Sequence, residues 1–350
     1  MTRSSNPLTN GKVGFWFSLL AVSGCVGTLQ LGGLPINTPV MVPEAVPGAV
    51  IAADGYRLPL RLWSPDGPIR VLLLALHGFN DYSNAFAGIG PVLASRGILT
   101  CAYDQRGFGT TLNQGVWPGG ATLRSDMETV AGLLQKRYPG VPMYLLGESM
   151  GGAVIMSALG GAVRPDSPLA AIKGAVLVAP AIWGRETMAA APRIALWLAN
   201  SLVPGLTLTT PRELKIHPSD NVEMLRAYSR DPLVIKATRV DSMNGLVELM
   251  GEALAAAPRF KTPALVMYGQ HEEVLPKPAV LSLLERLPPG YQRISVYPDG
   301  WHMLLRDRHS DVTINDVVSW IDFPDTPLPS RADIEPLSRF NGRLSRFKGQ

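Results

Sequence analysis

Gly147, Glu148, Ser149, Met150 and Gly151 set a serine between two glycines, with one residue intervening on either side. A serine hydroxyl becomes a competent nucleophile only when a base removes its proton, and that base needs a third group to hold its tautomer. The two glycines suit a strand-to-helix turn too tight for side chains, whose strain pushes the hydroxyl into the open. Alone the pattern is weak, because 22 serines among 35 glycines in 350 residues produce about 0.2 such matches by chance. Here an apolar run precedes it, a helix-length pattern follows it, and partners of the right type come later in the chain.

For a serine on such a turn the expected chain order is Ser, acid, His. Of the five histidines, His302 follows the run 294–297, the expected last strand, where the base of this arrangement belongs. His77 follows the first central strand, His217 falls in an inserted region, and His309 opens the final helix. For the acid, the strand-like run 264–268 leads into Gly269, Gln270, His271, Glu272 and Glu273, so two adjacent carboxylates compete for one role.

These groups need a scaffold, and the rest of the chain supplies its pattern. Runs 71–76, 99–103, 143–146, 174–178 and 264–267 are short and wholly or largely apolar, as strands buried on both faces require. Helix-length patterns such as 122–137 and 150–160 lie between them, and strand then helix, repeated, means a mostly parallel sheet flanked by helices. Residues 49–63, with a turn at Asp54 and Gly55, read as an antiparallel hairpin at the sheet edge. The alternation stops over 182–258, rich in Met, Leu, Ala and Trp at helical spacing, which predicts an inserted helical cap between two core segments, 48–181 and 259–323. Within it, residues 194–206 read IALWLANSLVPGL without a charge and are expected to pack on the core or to line an apolar site.

Composition narrows the function classes. Hydrophobic residues make up 46% and charged residues 17%, with a mean hydropathy of +0.13, which points to an apolar segment or working surface. The net charge of +4 sits at the ends: Arg3 and Lys12 in residues 1–24, and five basic against three acidic residues in 324–350. A body without net charge has no electrostatic footprint for nucleic acid. Cys25 and Cys101 are too few for a disulfide framework, no metal-ligand spacing appears, and the lone Gly107-Phe108-Gly109 reads as a turn, so no cofactor is expected.

Arg3 and Lys12 lead into an apolar stretch, 13–22, followed by small residues, which is the layout of an export signal over 1–24. Val22, Ser23, Gly24 and Cys25 resemble the bacterial lipobox, which implies cleavage and lipid attachment at Cys25, a tether over 25–47 and a place in the cell envelope. Val26, where an aspartate would redirect sorting, resembles the outer-membrane default. An uncleaved anchor is the alternative, and either one puts the protein at a membrane surface. Residues 324–350 are expected to be a disordered tail.

The motifs together resemble the α/β-hydrolase fold, and within it the monoacylglycerol lipase and lysophospholipase group. The resemblance rests on His77-Gly78-Phe79-Asn80, Asp104-Gln105-Arg106-Gly107-Phe108-Gly109, 147–152, Asp231-Pro232-Leu233 and the His302 turn, and it covers 48–323. It implies Ser149 as nucleophile, His302 as base and an acid three residues after Gly269, where this chain has Glu272 in place of the group's aspartate. It also implies an oxyanion hole from the backbone N–H groups of Phe79 and Met150, with His77, Asp104 and Arg106 shaping the turns. The expected activity is cleavage of small acyl esters of single-chain lipids through an acyl-enzyme. A non-lipid esterase or peptidase of the same fold, or a non-catalytic binding lipoprotein, are the competing readings.

Overall fold

The computed structural model describes residues 44–46, 48–209 and 216–341. Cys25, the signal segment and the tether up to residue 43 therefore lie outside the described residues.

The chain opens with β1 (Glu44–Val46), β2 (Ala49–Ile51) and β3 (Arg57–Trp63), an antiparallel set whose tight turn uses Gly55 at φ 77°. The alternation expected from the apolar runs follows as β4 (Val71–Leu76), α1 (Ile89–Ser95), β5 (Ile98–Tyr103), α2 (Gly120–Arg137), β6 (Met143–Glu148), α3 (Met150–Leu159) and β7 (Ile172–Val178). The inserted region contributes α4 (Ala190–Leu202), β8 (Thr207–Thr209), α5 (Val222–Arg230), β9 (Ala237–Arg239) and α6 (Val240–Ala256). The core resumes with β10 (Ala264–Gly269), α7 (Lys277–Arg286), β11 (Gln292–Tyr297), α8 (Ser310–Asp322) and α9 (Pro336–Asn341).

Nine strands form one sheet in the order β1-β2-β3-β5-β4-β6-β7-β10-β11, parallel from β5 to β11. Strands β4, β5 and β10 are buried at every position, which is why they read as unbroken apolar runs rather than alternating ones. Leu93, Ile314, Val317 and Trp320 from α1 and α8 cover one face, and Leu123, Val154, Leu254 and Leu283 from α2, α3, α6 and α7 cover the other. The crossovers leave the ends of β4, β6, β10 and β11 on one edge of the sheet, where ligands of open α/β sheets bind.

The inserted region is smaller than the 182–258 expected from composition. Helix α6 belongs to the core layer, because Val240, Val247 and Leu254 recur at sevens and bury a face against α3. Its Met- and Ala-rich composition matches the cap's, so only packing separates the two. The cap proper carries a two-stranded antiparallel ribbon, β8 with β9, whose three-residue strands are too short to leave a periodic signal.

The tail expected from residue 324 is also corrected for its described part. Ala332 C=O accepts from Val296 N–H at 2.9 Å, Arg293 pairs with Asp333 at 2.9 Å, and Leu328, Ala332 and Phe340 are buried. Proline and charge made 324–341 look like a loose end, but it hydrogen-bonds to the outer edge of β11 and seals a patch beside Tyr268.

Candidate active site

Ser149 links β6 to α3 with φ 52° and ψ −112°, a backbone conformation that a serine holds only when its surroundings enforce it. They do: its N–H donates to Val178 C=O at 2.9 Å, and its own C=O accepts from Ala181 N–H at 2.9 Å. The flanking glycines are demanded by close approach, since a Cβ on Gly147 would meet the Gly151 backbone at 2.5 Å and one on Gly151 would meet Leu76 C=O at 2.1 Å.

The β10 and β11 turns approach each other by the same device. A Cβ on Gly269 would lie 2.2 Å from Gly300 C=O, and His271 N–H donates to that carbonyl at 3.0 Å. This contact delivers Glu272 to His302, with Glu272 Oε2 2.8 Å from His302 Nδ1. The other oxygen, Glu272 Oε1, accepts from Val274 N–H at 2.7 Å and Leu275 N–H at 2.9 Å, so the carboxylate is oriented as well as present. Burial opposes the Glu272 charge, but His302 and the two N–H groups outweigh it and hold the carboxyl below its ordinary value. Burial likewise opposes an imidazolium at His302, and Glu272 and Glu148 outweigh that, raising His302 above its ordinary value.

The competition between adjacent carboxylates is settled by geometry. Glu273 turns the other way and accepts from His217 N–H at 2.9 Å. His217 opens a strap, 217–221, that the cap lays across both turns. Met303 N–H donates to Pro218 C=O at 2.9 Å, and Asp307 accepts from Ser219 Oγ at 2.6 Å and from Trp301 N–H at 2.8 Å. Burial pushes the Asp307 carboxyl up to about 6 against those two donors.

Phe79 follows β4, and a Cβ on Gly78 would sit 3.4 Å from Ser149 Cβ, so this turn abuts the serine. Met150 N–H opens α3, at the positive end of the helix. His77 locks the turn from behind: Nδ1 donates to Gly78 C=O at 2.8 Å and Nε2 accepts from Gln105 N–H at 2.9 Å. Burial lowers its pKa, which keeps it neutral in that tautomer and makes it structural. Asp104 accepts from Ser83 and Thr110, and Arg106 pairs with Asp54 and Asp126, so both shape turns. Cys101 is buried in β5 with its thiol pushed up to about 12 by burial, far from reactive. Among the described residues no group of three or more His, Cys, Asp and Glu side chains could hold a metal ion.

Two features escaped sequence reasoning. Asn80, at φ 65°, bonds Thr238 Oγ1 on β9 at 2.7 Å and ties the cap's exit to the Phe79 turn. Arg306 pairs with Asp81 and with Glu148, the residue just before Ser149. The only advance signal of that pairing was a charged residue beside the serine and an opposite charge four residues after His302.

A strained serine on a strand-to-helix turn, with a histidine and acid from the last two strands of a parallel sheet, defines the α/β-hydrolase fold. The family described as serine aminopeptidase, S33, matches residues 67–309, and the chain belongs to it. Mouse monoglyceride lipase is 27% identical over 298 residues, covering 82% of this chain and 94% of the relative. The monoacylglycerol lipase of Mycolicibacterium smegmatis is 25% identical over 272 residues, covering 76% and 93%. Among solved structures, a soluble variant of Saccharomyces cerevisiae monoglyceride lipase with a substrate analog aligns with a TM-score of 0.65 at 20% identity, over 84% of this chain and 98% of that one. Paleococcus ferrophilus monoacylglycerol lipase aligns at 0.63 and 21%, over 75% and 98%. The two structures agree with this chain in fold.

Proposed function

We propose that the protein is a serine hydrolase that cleaves carboxylic esters of single-chain lipids through an acyl-enzyme. The observation that carries the reading is the Glu272–His302 pair on the turns after β10 and β11, at the same end of the parallel sheet as a strained Ser149 that the Gly78–Phe79 turn abuts. Ser149 Oγ attacks the ester carbonyl carbon while His302 Nε2 takes its proton, and Glu272 holds the Nδ1–H tautomer and stabilises the imidazolium. The carbonyl oxygen gains negative charge and receives the N–H groups of Phe79 and Met150. Collapse breaks the bond to the alcohol, which leaves with the proton from His302. Water then repeats the sequence and releases the acid.

The cap supports a lipid substrate in a different way from the one expected. Helix α4 buries none of its residues, and Ile194, Trp197, Leu198 and Leu202 face out, Leu202 at 76% exposure. From 187 to 209 the chain carries no acid and one base, Arg193. An apolar outer face on the cap suits a surface from which single-chain lipids are drawn, while half-buried Leu196 packs toward the core. The peptidase reading would use cap acids for a substrate amine: Glu186 pairs with Arg286, but Glu223 on α5 is exposed, so the aminoacyl-amide arm of the assay below separates the two readings. The same proposal includes lipidation at Cys25 and a cell-envelope location, checked by mass spectrometry of the mature N-terminus for an acylated cysteine.

Fluorophosphonate labelling of Ser149, followed by soluble esters of increasing acyl length, tests the activity. Each buried CH₂ contributes about 0.8 kcal/mol, so kcat/KM climbs close to fourfold per carbon from acetyl toward octanoyl until the site is filled. A peak at acetyl, or faster cleavage of aminoacyl amides, would overturn the lipid reading. Replacing Trp197 and Leu198 with serine should weaken activity on lipid dispersions while leaving a soluble butyrate ester unaffected.

A further inference from the structure

The reaction above needs three turns held in mutual register: the Phe79 turn after β4, the Ser149 turn after β6 and the His302 turn after β11. Strands β4 and β6 are hydrogen-bonded neighbours, but β11 stands three places beyond β6 in the sheet, so its turn has to be drawn across the top. One side chain touches all three turns. Arg306 Nη1 donates to Asp81 Oδ2 at 2.8 Å, and Arg306 Nη2 donates to Glu148 Oε1 at 2.5 Å. Asp81 lies two residues after Phe79, Glu148 immediately precedes Ser149, and Arg306 lies four residues after His302. Asp81 is itself oriented, since its Oδ1 accepts from Tyr82 N–H at 2.8 Å.

As a stabilising device this cluster is poorly made. The Arg306, Asp81 and Glu148 side chains are 12%, 4% and 2% exposed, and two carboxylates share one cation. Glu148 Oε2 and Arg306 Nε have no hydrogen-bond partner among the described residues. Buried ion clusters that leave polar atoms unpaired are worse for stability than apolar side chains of the same shape. Their geometric content is high, because a planar fork with two fixed acceptors specifies position and direction together.

We propose that Arg306 is a positioning residue, a brace that sets the Phe79, Ser149 and His302 turns in the register the reaction needs. The proposal rests on the serine hydrolase reading. The brace also acts on His302 by charge: Glu148 favours the imidazolium and Arg306 opposes it, beside the direct partner Glu272. Position and charge can therefore be separated by experiment.

Three variants do this: Arg306→Met, Arg306→Lys and Arg306→Met with Glu148→Gln. Displacement of a catalytic group by an ångström costs up to about a hundredfold, so Arg306→Met should lower kcat roughly 10- to 100-fold with KM within about twofold. Its acidic limb of kcat/KM should move to higher pH, because Glu148 then acts on His302 unopposed. In the double variant the limb should return toward the wild-type position while kcat stays low. Arg306→Lys, a point charge without a fork, should recover only part of the loss. If Arg306→Met fails to fold, the double variant, with less unbalanced buried charge, carries the same test. A kcat within about threefold of wild type in Arg306→Met, or full recovery in the double variant, overturns the brace. A readout without turnover separates this from the enzyme reading: the downfield proton resonance of His302 Nδ1–H, bonded to Glu272, should broaden or shift in Arg306→Met measured at a pH where the wild-type signal is sharp. An unchanged resonance overturns the brace even if no ester proves to be a substrate, whereas a wild-type protein inert to fluorophosphonate overturns the hydrolase reading alone.

Discussion

Two arginines in this protein, Arg106 buried and Arg306 largely so, each hold two carboxylates, and they are built to different standards. Arg106 is fully satisfied: Nε and Nη2 grip Asp126 at 3.0 and 2.8 Å, Nη1 grips Asp54 at 2.5 Å, and the guanidinium stacks over Tyr56 at 4.0 Å. It joins the hairpin turn at Asp54 to helix α2. Arg306 also bridges two acids, but it leaves its own Nε and Glu148 Oε2 unpaired in a buried place. The difference teaches where each cluster acts. A complete network secures the fold, while an incomplete one at the meeting point of three catalytic turns sacrifices stability for placement.

The sharpest way to separate the two regions is to remove chemistry from one without touching the other. Ser149→Ala and His302→Ala should each lower kcat at least a thousandfold, because the proposed nucleophile and base act as a unit, and Ser149→Ala should leave Tm unchanged within about 2 °C. A variant that melts early instead would assign these residues to the fold. At the other end, Arg106→Met strands Asp126 and should cost about 3–5 kcal/mol of unfolding free energy in urea titration, with kcat per folded molecule unaltered. Loss of kcat without loss of stability there would erase the contrast between the two arginines.

Between these extremes lie the adjacent acids. Glu272→Gln should lower kcat on the order of a hundredfold, since the amide no longer stabilises the imidazolium, whereas Glu273→Gln, which only loosens the His217 strap, should stay within about threefold. The reverse order would move the acid to Glu273.

The smallest effect is a shift in pH. The proposed mechanism makes neutral His302 the active form, and its folded pKa is raised, so kcat/KM should be full at high pH and fall through a midpoint above 6.5, the ordinary histidine value. His77 cannot mimic this limb, because burial lowers its pKa and it stays neutral across the same range. A midpoint below 6.5 in a pH–rate profile would mean that Glu272 does not dominate the site.

Much of the site was legible because its signals are local. Gly147 and Gly151 announce a turn that only small residues can make, and the apolar runs at 71–76, 143–146 and 264–267 announce strands buried on both faces. The cap's inner boundary was not legible, because helix α6 buries Val240, Val247 and Leu254 with the same residue types the cap uses outside. Nor was the direction of α4, since an uncharged helix reads alike whether its apolar face meets a core or stays exposed.

The sequence by itself determined the strand and helix order, the serine turn and the place of His302 after the last strand, because periodicity and glycine spacing act over a few residues. Only the tertiary structure decided that Glu272 and not Glu273 meets His302, that Arg306 joins Asp81 to Glu148, and that residues 328–333 return to the sheet. Those outcomes depend on which polar groups come within about 3 Å of each other across separations of thirty to more than two hundred residues. Neighbouring residues of like chemistry are told apart only by that packing.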